Sequence, residues 1–75
     1  MERSYLVKYR EQRNETQQDV ANALKMSRQY YLMIEQGIRQ KRMDVVLVTA
    51  LANHFDVPVA EIIDAEAAFV KEDSA

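Results

Sequence analysis

The sequence predicts an all-α domain of five short helices. Three observations carry that prediction. Apolar residues recur at three- and four-residue intervals through most of the chain. Residues that favour helix N-caps stand before four of these runs, and one Gly and one Pro are all there is to interrupt them. Seventy-five residues then suffice for one domain with one small core. With no cysteine, neither a disulfide nor a thiolate metal site is available. The opening MERSYLVKYREQ is charged throughout, unlike a secretory signal or a membrane span, and a reduced cytoplasmic setting is expected.

The first helix is expected over residues 4 to 13, with Ser4 as N-cap and Leu6, Tyr9, Arg10 and Arg13 along one face. Tyr5 and Val7 fall off that face and are expected to be partly exposed. Asn14 breaks the helix. Thr16 opens a second helix, about 17 to 24, and Asp19 three residues on completes a capping box with Asp in place of Glu or Gln. Val20, Ala21 and Leu24 form its inward stripe, and Met26 plugs the turn that follows.

Ser27 caps a third helix, about 28 to 36, closed by Gly37 as a left-handed C′ residue. Tyr31 and Ile34 share its core face, with the Tyr31 hydroxyl expected to bond at the rim. Arg28, Gln29 and Met33 lie on another face, and Tyr30 points outward. The two tyrosines stand about 100° apart on the helix, so they form no stacking platform for a single strand.

Residues 38 to 43, IRQKRM, make a loop with three positive charges. Asp44 caps the fourth helix, whose stripe is Val45, Val48, Leu51, Ala52 and Phe55. Asp56 ends that helix, and Pro58 suits the first turn of a fifth. Val59, Ile62 and Ile63 are expected to point inward, with Phe69 and Val70 on the same face seven residues later. The domain is thus expected to span residues 4 to 70, with 71 to 75 a frayed acidic tail.

The formal net charge is −2, yet it is divided unevenly. Residues 1 to 42 carry nine Lys/Arg against five Asp/Glu, and residues 43 to 75 carry one against seven. A basic half and an acidic half suit a domain with one side facing a polyanion. Catalysis is not expected. His54 is the single histidine, there is no cysteine, and no nucleophile or third metal ligand falls at a useful spacing.

Several residues in register carry a family resemblance over about residues 4 to 63. They are Arg10, Thr16-Gln17, Ala21, Leu24, Met26-Ser27-Arg28 and Ile34-Glu35-x-Gly37, followed by Leu51-Ala52, Phe55, Val57 and Glu61-Ile62-Ile63. The chain resembles the Cro and phage-repressor (XRE) family of helix-turn-helix proteins, the lambda-repressor-like five-helix DNA-binding domains. Three positions depart from the family pattern. Glu15 replaces an apolar residue, which predicts looser packing before helix 2. Lys25 replaces the turn glycine, at a cost of about 1 kcal/mol if φ is positive there. The loop after Gly37 is two residues longer and lacks the family's proline.

The resemblance implies that the third helix enters the major groove of duplex DNA. It places Arg28, Gln29 and Met33 at base edges, with Tyr30 beside them at a phosphate or a base. Arg suits guanine O6 and N7, Gln suits adenine N6 and N7, and Met33 can meet a thymine methyl. Gln17, Ser27, Arg39, Lys41 and Arg42 are the expected contacts to the DNA backbone. Arg10 and Glu35 are implied to form a structural ion pair. One such helix spans too few base pairs for useful specificity, so a homodimer on a palindromic site is implied, with Phe69 and Val70 as the candidate dimer surface. No metal, cofactor or membrane is expected. Two other functions fit the same residues: a DNA-binding antitoxin or accessory protein of a two-component system, gripping a protein through its acidic C-terminal half, and a helix-turn-helix that binds protein only.

Overall fold

The computed structural model describes residues 1–74, and they form five α-helices: α1 Ser4–Gln12, α2 Gln17–Ala23, α3 Arg28–Glu35, α4 Val45–Phe55 and α5 Val59–Ser74. No strand occurs among the described residues. The all-α, five-helix class predicted from periodicity is what the chain adopts.

Three helix starts follow their cap residues. Thr16 Oγ1 accepts from the Asp19 N–H at 3.1 Å while the Asp19 carboxylate accepts from the Thr16 N–H at 2.8 Å, a complete capping box. Ser27 accepts from Tyr30 N–H at 3.1 Å, and Asp44 from Leu47 N–H at 2.7 Å. The first helix is different. Arg3, not Ser4, holds the cap position, and it caps with no side-chain bond because its side chain is used elsewhere.

Helix ends share one device. After each of α1 to α4 a residue turns into the left-handed region: Asn14, Lys25, Gly37 and Asp56, with φ between 55° and 76°. At each end the N–H of the next residue reaches back to the carbonyl five residues earlier, as in Met26 to Ala21 O at 3.0 Å and Ile38 to Met33 O at 2.9 Å. These are Schellman motifs, which satisfy the carbonyls a helix end leaves open. Only one of the four uses glycine. Lys25 therefore does adopt the positive φ, 58°, that a turn glycine would take without strain.

The core joins α1 through α4 around Leu6, Val20, Ala21, Tyr31, Ile34, Leu47, Leu51 and Phe55. A smaller cluster of Val48, Ala52 and Ile62 seats α5 on α4. Tyr5 and Val7 are half-buried. Tyr31 differs from expectation: its ring is fully buried, and among the described residues its hydroxyl has no hydrogen-bond partner. Burial, with the Glu35 carboxylate nearby, pushes its pKa well above the ordinary tyrosine value.

Two stripes also differ. Val45 is 79% exposed, and Leu47 takes the inward place at the start of α4. Val45 and Val46 stand outside the core while Leu47 and Val48 enter it, so helical spacing alone mislabels the first residue of α4. In α5 the buried line runs Ile62, Glu66, Phe69, whereas Val59 and Ile63 are largely exposed. A carboxylate thus occupies the middle of the buried face. The expected frayed tail is, over residues 71–74, part of α5; Ala75 lies outside the described residues.

Glu15 does not simply loosen its loop. Its carboxylate meets His54 Nε2 at 2.9 Å and Arg13 Nε at 3.0 Å, so a polar cluster replaces an apolar contact. His54 stacks edge-on against Phe55.

Candidate nucleic-acid interface

Helix α3 is held from behind and at its C-terminal end, which leaves its first turn outward. Tyr31 and Ile34 anchor it in the core, and Glu35 is 2% exposed at its last turn. The Glu35 carboxylate accepts from Arg10 Nε at 2.7 Å, Arg10 Nη2 at 3.2 Å and Gln17 Nε2 at 3.2 Å. One carboxylate therefore joins α1, the start of α2 and the end of α3. The hydrogen bond to Glu35 raises the Arg10 pKa further above its ordinary value, so this guanidinium is charged throughout the working range.

Arg28 and Gln29 stand exposed on the first turn of α3, immediately after the Ser27 cap. Met33, one turn beyond Gln29, is half-buried. Ser27 is exposed, but its hydroxyl already serves the Tyr30 N–H. Gln17 lies at the first position of α2, with its amide directed to Glu35 rather than outward. The loop cations Arg39, Lys41 and Arg42 are all exposed, and the Schellman bonds of Gly37 and Ile38 root their loop on the end of α3. Among the described residues, Arg28, Arg39, Lys41 and Arg42 make no ion pair.

Tyr30 requires a correction. Its ring packs against the core beside Leu24 and Met26, and its hydroxyl accepts from Gln40 Nε2 at 3.1 Å. It buttresses the loop from within instead of projecting from α3. Phe69 requires another. It is 6% exposed, with the Arg3 guanidinium 4.6 Å from its ring centroid, and is taken up inside the chain. Val70 lines a groove of about 560 Å³ with Arg42, Met43, Val48, Ile63 and Ala67.

Arg3 is the residue that sequence reasoning missed. It is fully buried, and its guanidinium places all five N–H groups. Nε and Nη2 reach the two Glu66 oxygens at 2.8 Å each. Nη1 donates to Ile34 O at 2.7 Å and Arg39 O at 3.0 Å, and Nη2 also donates to Gln40 O. Glu66 accepts in addition from Tyr5 Oη at 2.6 Å, and burial raises the Tyr5 pKa. One signal was present in the sequence: Glu66 falls four residues after Ile62 and three before Phe69, on an otherwise apolar face. A carboxylate there calls for a buried cation.

No group of three or more His, Cys, Asp or Glu is placed to hold a metal among the described residues, and no single helix is long and apolar enough to cross a membrane. The outward first turn of α3, supported by α1 and α2, defines a helix-turn-helix DNA-binding module of the kind used in transcription regulation. A family model described as Helix-turn-helix matches residues 6–62, and the chain belongs to that family. No curated protein and no solved structure matches the chain.

Proposed function

We propose that this chain is a cytoplasmic, sequence-specific reader of duplex DNA of the Cro and phage-repressor type, acting as a transcriptional repressor. The observation that carries the proposal is the state of Arg28 and Gln29. Both are exposed and adjacent, on a helix whose opposite face and last turn are immobilised. A rigid helix presenting a fork donor and an amide can meet guanine and adenine edges with little ordering cost. Met33 supplies an apolar contact beside them. Gln17, Ser27 and the loop cations serve the phosphates, Gln17 and Ser27 through the N-termini of α2 and α3.

One module reads a single half-site, so the working form is a two-fold dimer whose recognition helices stand about 34 Å apart. The groove beside Ile63, Ala67 and Val70 is its interface, with a second copy as the occupant. Without that copy the DNA site is only half read. Repression then needs no more than occupation of the operator.

The test is selection from random duplexes, followed by titration of the winning sequence at two salt concentrations with wild type and with Arg28→Ala/Gln29→Ala. An enriched palindrome, bound less tightly at high salt and no longer bound by the double variant, supports the proposal. Equal, weak binding of every duplex that ignores both substitutions overturns it. The acidic α4–α5 half would then direct the search to a protein partner, as in an antitoxin.

A further inference from the structure

We propose that Arg3 is a positioning residue for DNA binding, a buried latch that fixes the 39–42 loop against the end of the recognition helix. This rests on the proposed contact between that loop and phosphates. The loop's N–H groups at Ile38 and Arg39 reach Met33 O, and the Gln40 side chain meets Tyr30 Oη and the Asp44 N–H, but the carbonyl side of the loop is left to Arg3. Ile38 is 57% exposed, Gln40 sits at a left-handed φ of 56°, and Arg39, Lys41 and Arg42 project into solvent. What holds the loop's carbonyls is the Arg3 fork, which takes those of Arg39 and Gln40 together with that of Ile34 in α3. The Arg3 N–H also donates to Glu35 O at 2.7 Å, so one residue closes two carbonyls at the end of α3.

The latch is set by α5. Glu66 aligns the guanidinium with two bonds, and the Phe69 ring lies beneath it. A guanidinium is required because three carbonyls and a carboxylate must be met in one plane. A lysine keeps the charge for Glu66 but has only a compact ammonium, and it cannot span Ile34, Arg39 and Gln40 together. Phosphate contacts carry affinity without sequence information. Releasing the loop therefore weakens binding to all duplexes alike.

The experiment compares wild type with Arg3→Lys in two assays. Limited trypsin digestion, read by mass spectrometry, measures loop order without DNA, since Arg39, Lys41 and Arg42 are themselves cleavage sites. Titration of operator and non-operator duplexes across a salt series measures the hold on phosphates. Arg3→Lys should speed loop cleavage roughly tenfold and lower the salt slope by roughly 1 to 3, at about 0.9 for each phosphate that the loop no longer neutralises. The ratio of operator to non-operator affinity should stay unchanged. Should Arg3→Lys not fold, Glu66→Asp, which keeps the charge but withdraws the carboxylate, should shift both readouts in the same direction.

Unchanged cleavage in a folded variant overturns the latch. Faster cleavage with an unchanged slope overturns its link to DNA, provided that Arg39→Gln/Lys41→Gln/Arg42→Gln does lower the slope. If that triple variant keeps the wild-type slope, the assignment of the loop to phosphates has failed, and trypsin alone then decides whether Arg3 orders it.

Discussion

The Arg10 guanidinium grips the Glu35 carboxylate through two nitrogens, at 2.7 and 3.2 Å, and so fastens α3 to α1. Their side chains are 15% and 3% exposed, so water screens the pair little. Glu35→Ala strands the Arg10 charge and the Gln17 amide. It should cost about 3 kcal/mol, the scale for breaking a buried pair, and lower Tm by roughly 10–20 °C. Thermal melts check this, and a loss below about 1 kcal/mol would mean that solvent already satisfies Arg10.

Lys25 stands at a positive φ where its side chain gains nothing from the backbone conformation. Lys25→Gly removes a left-handed strain of about 1–2 kcal/mol, partly offset by the larger unfolded-state entropy of glycine. The net expectation is a gain of about 1 kcal/mol, or roughly 4–8 °C in Tm. A denaturant titration showing destabilisation would refute the strain.

Gly37 meets two demands at once. Its φ is 76°, and a Cβ there would stand 2.0 Å from the Met1 carbonyl oxygen and 3.0 Å from the Phe69 ring. Gly37→Ala should therefore cost more than the left-handed conformation alone, about 2–4 kcal/mol. It should also raise hydrogen exchange in residues 1 to 3. Normal exchange there, with only a small loss of stability, would show that the close approach is dispensable.

Acid should weaken the start of α2. The Thr16 N–H holds the Asp19 carboxyl below its ordinary value of 3.8. A depressed folded pKa means that its stabilisation is present above the unfolded value and is lost as pH falls through the folded one. The stability gap between wild type and Asp19→Asn should be constant near neutrality and close below about pH 4. A gap that persists at low pH would place the cap's worth in geometry rather than charge.

Ile63 is 52% exposed at the groove on the α4–α5 side, so a charge there should not disturb the fold. Ile63→Glu should leave stability within about 0.5 kcal/mol of wild type at protein concentrations too low for the dimer, remove the rise of Tm with concentration, and abolish the proposed dimer in sedimentation. Affinity for a palindrome should drop to that for one half-site. A wild-type mass in solution would move the dimer contact to another surface.

Local chemistry made most of the scaffold legible. Thr16 with Asp19, Ser27, Asp44 and Gly37 mark helix ends by bonds within a few residues, and such bonds need no knowledge of the rest of the chain. The outward placement of Arg28 and Gln29 followed from the same spacing. Tyr30 was less legible, because a helix flank can turn either way and only the Gln40 amide and the nearby core drew it inward. Val45 failed for a related reason: periodicity assigns a face but not the point where the core ends.

Five helices, the stops of four of them and the outward first turn of α3 can all be read from the chain without its fold. They arise from backbone bonds and side-chain spacing over short stretches of neighbouring residues. The buried face of α5 is a different matter, settled by packing alone. Apolar content favours Ile63 and Val70, yet the helix turns Glu66 inward, because Arg3, 63 residues away, meets its carboxylate with two N–H groups. A buried carboxylate is costly alone and tolerable when paired, so its burial depends on a partner brought near only by folding.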